Sequence, residues 1–177
     1  MFDVQVIIPR YYQIEAFNAL VNSSGRGVAV LPTGTGKCGI AAMLASAYKE
    51  SRIIITVPNR RLLHQNHVEL TKFLGTRVGI LGDSEQELEP RVIVSTIQSL
   101  VSKIESRNPQ VMDLLTQTTV WISDESHGAA ADSYRILSKH LPNAHTRYGL
   151  TATWMREDGC ELIMEGVLGD VVYKYEY

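Results

Sequence analysis

LPTGTGKC, residues 31–38, is the stretch that decides how this chain folds. A short apolar run, residues 27–31, leads into it, and an Ala-rich segment, residues 37–49, leads out of it. The spacing therefore predicts a strand, a tight turn and a helix. Gly34 and Gly36 let the backbone turn sharply and bring N–H groups close to an anion. The start of the helix adds its positive end. Lys37 reaches phosphate oxygens as a point charge. Against the generic phosphate-loop pattern G-x-x-x-x-G-K-[ST], Leu31 stands where the first Gly belongs and Cys38 where the hydroxyl belongs. Thr33, Gly34, Thr35, Gly36, Lys37 and Cys38 are the candidate phosphate-binding residues.

Working outward, a second apolar run, TVWIS, ends in Asp124 and Glu125. An Asp at that position suits Mg²⁺, and the adjacent Glu suits the water that attacks a γ-phosphate. Two carboxylates at a strand end are common surface charge when they stand alone. Combined with a phosphate-binding turn in one alternating chain, they point to nucleoside triphosphate chemistry.

The rest of the sequence supplies that alternation. Helices are expected over residues 10–23, 37–49, 58–74, 96–104, 109–117 and 129–140. Strands are expected over 27–31, 52–57, 77–81, 91–95, 119–123 and 145–150, and DSEQELEP at residues 83–90 reads as an acidic loop. On the first helix, Ile14, Phe17, Leu20 and Val21 form the expected apolar face. The run at residues 52–57 is too apolar to alternate, which suits a strand covered on both sides. Strands alternating with helices predict an α/β fold with a mostly parallel sheet. Ligands of such sheets bind beyond the carboxyl ends of the strands, where PTGTGK, DESH and TAT all fall.

Composition narrows the function classes. The chain has 177 residues, 45% of them hydrophobic, with 17 Lys and Arg against 19 Asp and Glu for a net charge of −2. At roughly 150 residues per domain this predicts one domain over residues 1–177. The charge excludes a binder that works by bulk positive charge. The two cysteines, Cys38 and Cys160, form neither a metal-ligand spacing nor a disulfide framework. No secretory leader or membrane-length apolar stretch is evident, so a cytoplasmic setting is expected.

Six motifs in order give the chain its resemblance. RYYQ, residues 10–13, resembles an adenine-reading Q motif, and PTGTGK resembles motif I. TVPNRRLLHQ, residues 56–65, resembles motif Ia. STIQSL, residues 95–100, resembles the later strand-binding motif. DESH, residues 124–127, resembles motif II, and GLTATWMREDG resembles motif III with its flank. As a set these resemble the first RecA-like domain of a superfamily 2 helicase of the DExH type, closest to the repair, recombination and restriction-motor branch.

That resemblance implies an ATPase that drives translocation or strand separation on DNA, with RNA as the alternative and Mg²⁺ as cofactor. The runners-up are the motor of a restriction enzyme and a phosphate-loop module with no motor activity. Gln13 would read adenine, and Arg10 or Tyr12 would pack on the base by stacking. Lys37 would bind phosphate, Asp124 would serve Mg²⁺, and Glu125 would be the general base. Ser126 and His127 would link the ATP site to Thr151 and Thr153. Pro58, Asn59, Arg60, Thr96 and Gln98 would grip the sugar–phosphate backbone. Helix starts and hydroxyls do this without large net charge. Arg60, His64 and His67 fall on one helical face. Two departures bear on the site: Cys38 offers Mg²⁺ a soft ligand, and Trp154 replaces the usual Pro after TAT. The resemblance also implies a second RecA-like domain, absent from these 177 residues, so a part of a longer motor is expected.

Overall fold

A computed structural model of the chain describes residues 8–124, 131–153 and 160–176. Eight strands form one sheet in the order β4-β3-β5-β2-β6-β7-β1-β8. They are β1 (Arg26–Val30), β2 (Ile53–Val57), β3 (Gly79–Gly82), β4 (Glu85–Glu87), β5 (Val92–Thr96), β6 (Val120–Asp124), β7 (Thr146–Thr151) and β8 (Val171–Lys174). Every pairing is parallel except the β3–β4 hairpin.

The helices divide between the two faces. On one lie α1 (Tyr11–Val21), α2 (Lys37–Ala47) and α3 (Arg60–Leu74), packed on Ile53, Ile55 and Val57 of β2. On the other lie α4 (Ile97–Glu105), α5 (Pro109–Gln117), α6 (Ala131–Lys139) and α7 (Cys160–Leu168), packed on Ile54, Ile93 and Trp121. Successive strand residues point to opposite faces, so burial on both sides explains why β2 is apolar throughout. Trp121 is fully buried. Its Nε1 donates to Thr56 Oγ1 at 3.0 Å, and its ring stacks on Tyr134 at 5.7 Å. Arg147 lies over the same ring and donates its Nε–H to Ala144 O at 2.7 Å.

Three expectations are corrected. The acidic segment at residues 83–90 is not all loop, since Glu85–Glu87 forms β4. Asp83 and Ser84, with φ of 51° and 66°, make a two-residue turn that sets Gly82 opposite Glu85. The charged side chains disguised an exposed edge strand. On α1 the expected Phe17, Leu20 and Val21 do pack on the core, but the buried row is Tyr12, Ala16 and Leu20, and Ile14 is 41% exposed. Tyr12 is drawn inward by stacking on Tyr175, with ring centroids 4.5 Å apart. Lastly, α7 and β8 lie beyond the last element expected from sequence. β8 is a short strand alternating between half-buried and exposed positions, which a search for apolar runs passes over.

Helix starts follow local chemistry. Asn59, Thr96 and Asn108 are N-caps whose side-chain oxygens accept from Leu62, Ser99 and Val111 N–H groups.

Candidate nucleotide site and its neighbouring groove

β1 delivers the turn at residues 31–36 to the carboxyl edge of the sheet, and β6 delivers Asp124 to the same edge. β7 lies between them, with Val30 opposite Thr151 and Asp124 opposite Leu150. The turn is held by its own contacts. Thr35 Oγ1 donates to Pro32 O at 2.8 Å. Lys37 is buried, and its Nζ donates to Leu31 O and Pro32 O, both at 3.3 Å. Gly36 caps α2 with φ of 75°.

Gln13 reaches this turn from α1. Its Oε1 accepts from Arg10 N–H at 2.9 Å, and its Nε2 donates to Thr35 O at 2.9 Å and to Gly36 O at 3.1 Å. Two motifs 22 residues apart are thus joined by one amide. Arg10 itself donates to Tyr12 Oη at 3.0 Å.

Two clefts meet at Gly36 and Glu69. One, of about 490 Å³, is lined by Pro9, Gln13, Phe17, Met43 and Phe73, an apolar slot with one amide at its edge. The other, of about 550 Å³, is lined by Thr33, Gly34, Lys37, Cys38, Asn66 and Asp124. An apolar slot beside an N–H-rich turn, an ammonium and a carboxylate matches the parts of a nucleoside triphosphate.

The donors sort clearly for Mg²⁺, which takes hard oxygens. Asp124, buried at 5% exposure, offers a carboxylate at the cleft. Asn66 is 3% exposed, and its Oδ1 makes no hydrogen bond. An orphaned acceptor lining this cleft fits a hydrated cation. Cys38 does not fit. Burial above all, then the Glu69 and Asp124 carboxylates, pushes its thiol well above the ordinary value, and metals bind the thiolate. Among the described residues no group of three or more His, Cys, Asp or Glu is placed to hold a metal. A phosphate-bound Mg²⁺ needs only one or two carboxylates, with phosphate and water completing its shell.

Other sequence candidates are placed as follows. Glu125, Ser126, His127 and Trp154 lie outside the described residues. Thr151 Oγ1 donates to Thr153 O at 2.8 Å and accepts from Thr153 N–H at 3.3 Å, so the two form a local turn after β7. Beside the nucleotide clefts runs a groove of about 640 Å³ between the starts of α3 and α4 and the β3–β4 hairpin. Pro58, Asn59, Arg60, Thr96 and Gln98 all line it. Gln98 Nε2 donates to Pro58 O at 3.2 Å, tying the two motifs together. The Thr96 hydroxyl is buried as a cap. Asn59 borders both this groove and the Lys37 cleft. His67 turns away from Arg60 and His64 and contacts Val78 O at 2.8 Å. Sequence reading missed the polar row Arg61, Gln65 and Glu69, which lines the Lys37 cleft from α3. Its i, i+4, i+8 spacing was the available signal.

A family model described as "Type III restriction enzyme, res subunit" matches residues 6–156. The chain is 32% identical over 165 residues to "DNA 3'-5' translocase XPB2" of Sulfurisphaera tokodaii, covering 93% of this chain and 35% of that protein. It is 30% identical over 182 residues to "ATP-dependent DNA helicase uvsW" of Enterobacteria phage T4, covering 93% of this chain and 34% of that protein. The chain thus spans about a third of the length of these relatives. The crystal structure of the UvsW helicase from bacteriophage T4 superposes with a TM-score of 0.78 at 25% identity, covering 94% of this chain and 60% of that one. The order of motifs, the strand order and these likenesses agree: the chain belongs to the type III restriction enzyme res-subunit family, and its fold is that of a RecA-like domain of superfamily 2 helicases.

Proposed function

We propose that this chain is the ATP-binding RecA-like domain of a DNA helicase or translocase, acting with a second RecA-like domain. The observation that carries the reading is the Gln13 amide, which bridges the apolar slot to the carbonyls of the phosphate-binding turn. Its Oε1 accepts one hydrogen bond here and has capacity for a second. Adenine presents an amine to such an acceptor, whereas guanine presents a carbonyl that repels it.

In this reading the turn's N–H groups and Lys37 bind and orient the phosphates. The buried Asp124 carboxylate, with Asn66 beside it, would hold Mg²⁺, whose contribution when bound is to neutralise charge on the β- and γ-phosphates. Glu125 takes the proton of the attacking water. Thr151 and Thr153 pass the state of the site onward. The groove holds the sugar–phosphate backbone of one strand, and Asn59 borders both sites. A restriction-enzyme motor is the second reading, favoured by the description of the matching family.

Equilibrium titration of ATP and GTP with Mg²⁺ tests the nucleotide half. Saturable ATP binding lost in Lys37→Ala, with GTP at least tenfold weaker, is expected; equal affinity for the two overturns the Gln13 role. In the longer protein, Glu125→Gln is expected to bind ATP normally and lose DNA-stimulated hydrolysis.

A further inference from the structure

The groove beside the nucleotide clefts carries its own anion. Asp83, at the tip of the β3–β4 hairpin, places Oδ1 3.2 Å from the Arg60 guanidinium and Oδ2 2.8 Å from His64 Nε2. Arg60 and His64 are one turn apart at the start of α3, and their side chains are 78% and 45% exposed. Nothing in the hydrophobic core depends on this contact. The two-residue turn, with positive φ at Asp83 and Ser84, sets Asp83 at the hairpin tip facing α3. Two acceptor oxygens of one group, shared between a guanidinium and an imidazole, reproduce the way a phosphodiester is held.

We propose that Arg60 and His64 form a site for one backbone phosphate of a single-stranded nucleic acid, and that Asp83 occupies this site as the phosphate's surrogate until a strand displaces it. The inference rests on reading the groove as the strand-binding face and adds to it a second hydrogen-bonding group, His64, and a built-in competitor. The hydrogen bond from His64, followed by the Arg60 charge, holds the Asp83 carboxyl below its ordinary value, so the competitor is ionised at neutral pH. Glu85 stands 3.8 Å from His64 Nδ1 and adds negative charge on the same side. Because the three side chains are exposed, the competition is modest. Exposed ion pairs of this kind shift an equilibrium by about 1.5- to 5-fold.

The experiment is a fluorescence-anisotropy titration of the 177-residue chain with labelled oligothymidylate and oligouridylate at several salt concentrations. Asp83→Asn is the informative variant, because Asn tolerates positive φ as Asp does and the turn is retained. It is expected to tighten binding about 2- to 5-fold at low salt. In an Arg60→Gln, His64→Gln background the same change should do nothing. Glu105→Gln, which removes an exposed charge at the far end of α4, should leave binding unchanged. Equal tightening on the two oligonucleotides fits a phosphate contact; an effect on only one overturns it. Unchanged or weaker binding by Asp83→Asn, or tightening that survives in the double background, overturns the surrogate while leaving the strand-binding face intact. Absence of saturable binding by every form overturns that face and the proposal together. A thermal melt of each variant confirms that the comparison is between folded proteins.

Discussion

Replacing Gly36 by Ala tests the junction on which the nucleotide reading depends. Gly36 sits at φ of 75°, where an L-residue is strained by about 1–2 kcal/mol. A Cβ there would lie 2.6 Å from Gln13 Nε2, closer than any real contact. The Gln13 side chain has room to swing, so relief comes from its displacement and not from movement of α2. Displacement breaks the hydrogen bonds to Thr35 O and Gly36 O. Net losses of about 0.5–1.5 kcal/mol per bond bring the total to roughly 2–5 kcal/mol. For a chain of this size about 1 kcal/mol moves the melting temperature by 2–4 °C, so a fall of roughly 4–20 °C is expected. Gly39→Ala is the matched control. It lies one helical turn on, where a Cβ meets the same nitrogen at an ordinary 3.5 Å. Removing a helical glycine there stabilises by about 0.5–1 kcal/mol. Differential scanning calorimetry reads both variants, and ATP and GTP titrations follow. The reasoning is refuted if Gly36→Ala melts with the parent, or if it is destabilised yet still prefers ATP over GTP to the same degree.

Cys38→Thr is expected to lower the Mg²⁺ concentration needed for ATP binding, because a hydroxyl supplies the oxygen that the buried, protonated thiol does not; a Mg²⁺ titration of both forms checks it, and identical curves place residue 38 away from the metal. Trp121→Phe removes the indole that donates to Thr56 Oγ1 and stacks on Tyr134. The buried Thr56 hydroxyl is left unpaired beside a small cavity, and a loss of about 2–4 kcal/mol is expected in urea unfolding. Tyr148 and Tyr173 are both raised above the ordinary tyrosine value by burial first, then by hydrogen bonds to Tyr48 and Glu15 respectively, with Tyr173 pushed up to about 12. Neutral tyrosine is therefore favoured in the folded state. That stabilisation is complete below about pH 10 and is lost as pH rises through the folded values. Arg147, pushed down to about 10 by burial and Arg26, acts in the opposite sense. The clean readout is the difference between parent and Tyr173→Phe melting from pH 9.5 to 12, expected to shrink with rising pH.

Legibility in the sequence followed the physics of each element. β2 and β6 were readable because burial on both faces leaves no choice but apolar residues. The turn before α2 was readable because only glycines and a lysine perform its task. β4 was not, because a two-residue turn made from Asp83 and Ser84 lacks the usual Asn-Gly signature. α1 was placed correctly, and Phe17, Leu20 and Val21 pack on the core as expected, but Ile14 does not and the Tyr12–Ala16 edge of the face was missed. Tyr12 is buried by a residue 163 positions away, a contact no local periodicity contains. The partnership of Gln13 with Thr35 and Gly36 joins residues whose roles a family resemblance suggested separately, and only the fold shows them touching. Asn66 was invisible as a site residue because it falls outside the Arg61, Gln65 and Glu69 row whose spacing marks the cleft-lining side of α3.

The placing of β7 between β1 and β6 has a metrological consequence. Neighbouring strands lie about 4.7–4.9 Å apart, so β1 and β6, the strands that carry the phosphate-binding turn and Asp124, run two such steps, roughly 9.5 Å, apart. That gauge is written in main-chain hydrogen bonds, with Val30 opposite Thr151 and Asp124 opposite Leu150. No side chain at the site sets it. Exchanging thiol for hydroxyl at residue 38 therefore leaves that strand spacing unaltered. What such an exchange retunes is the chemistry within a fixed frame.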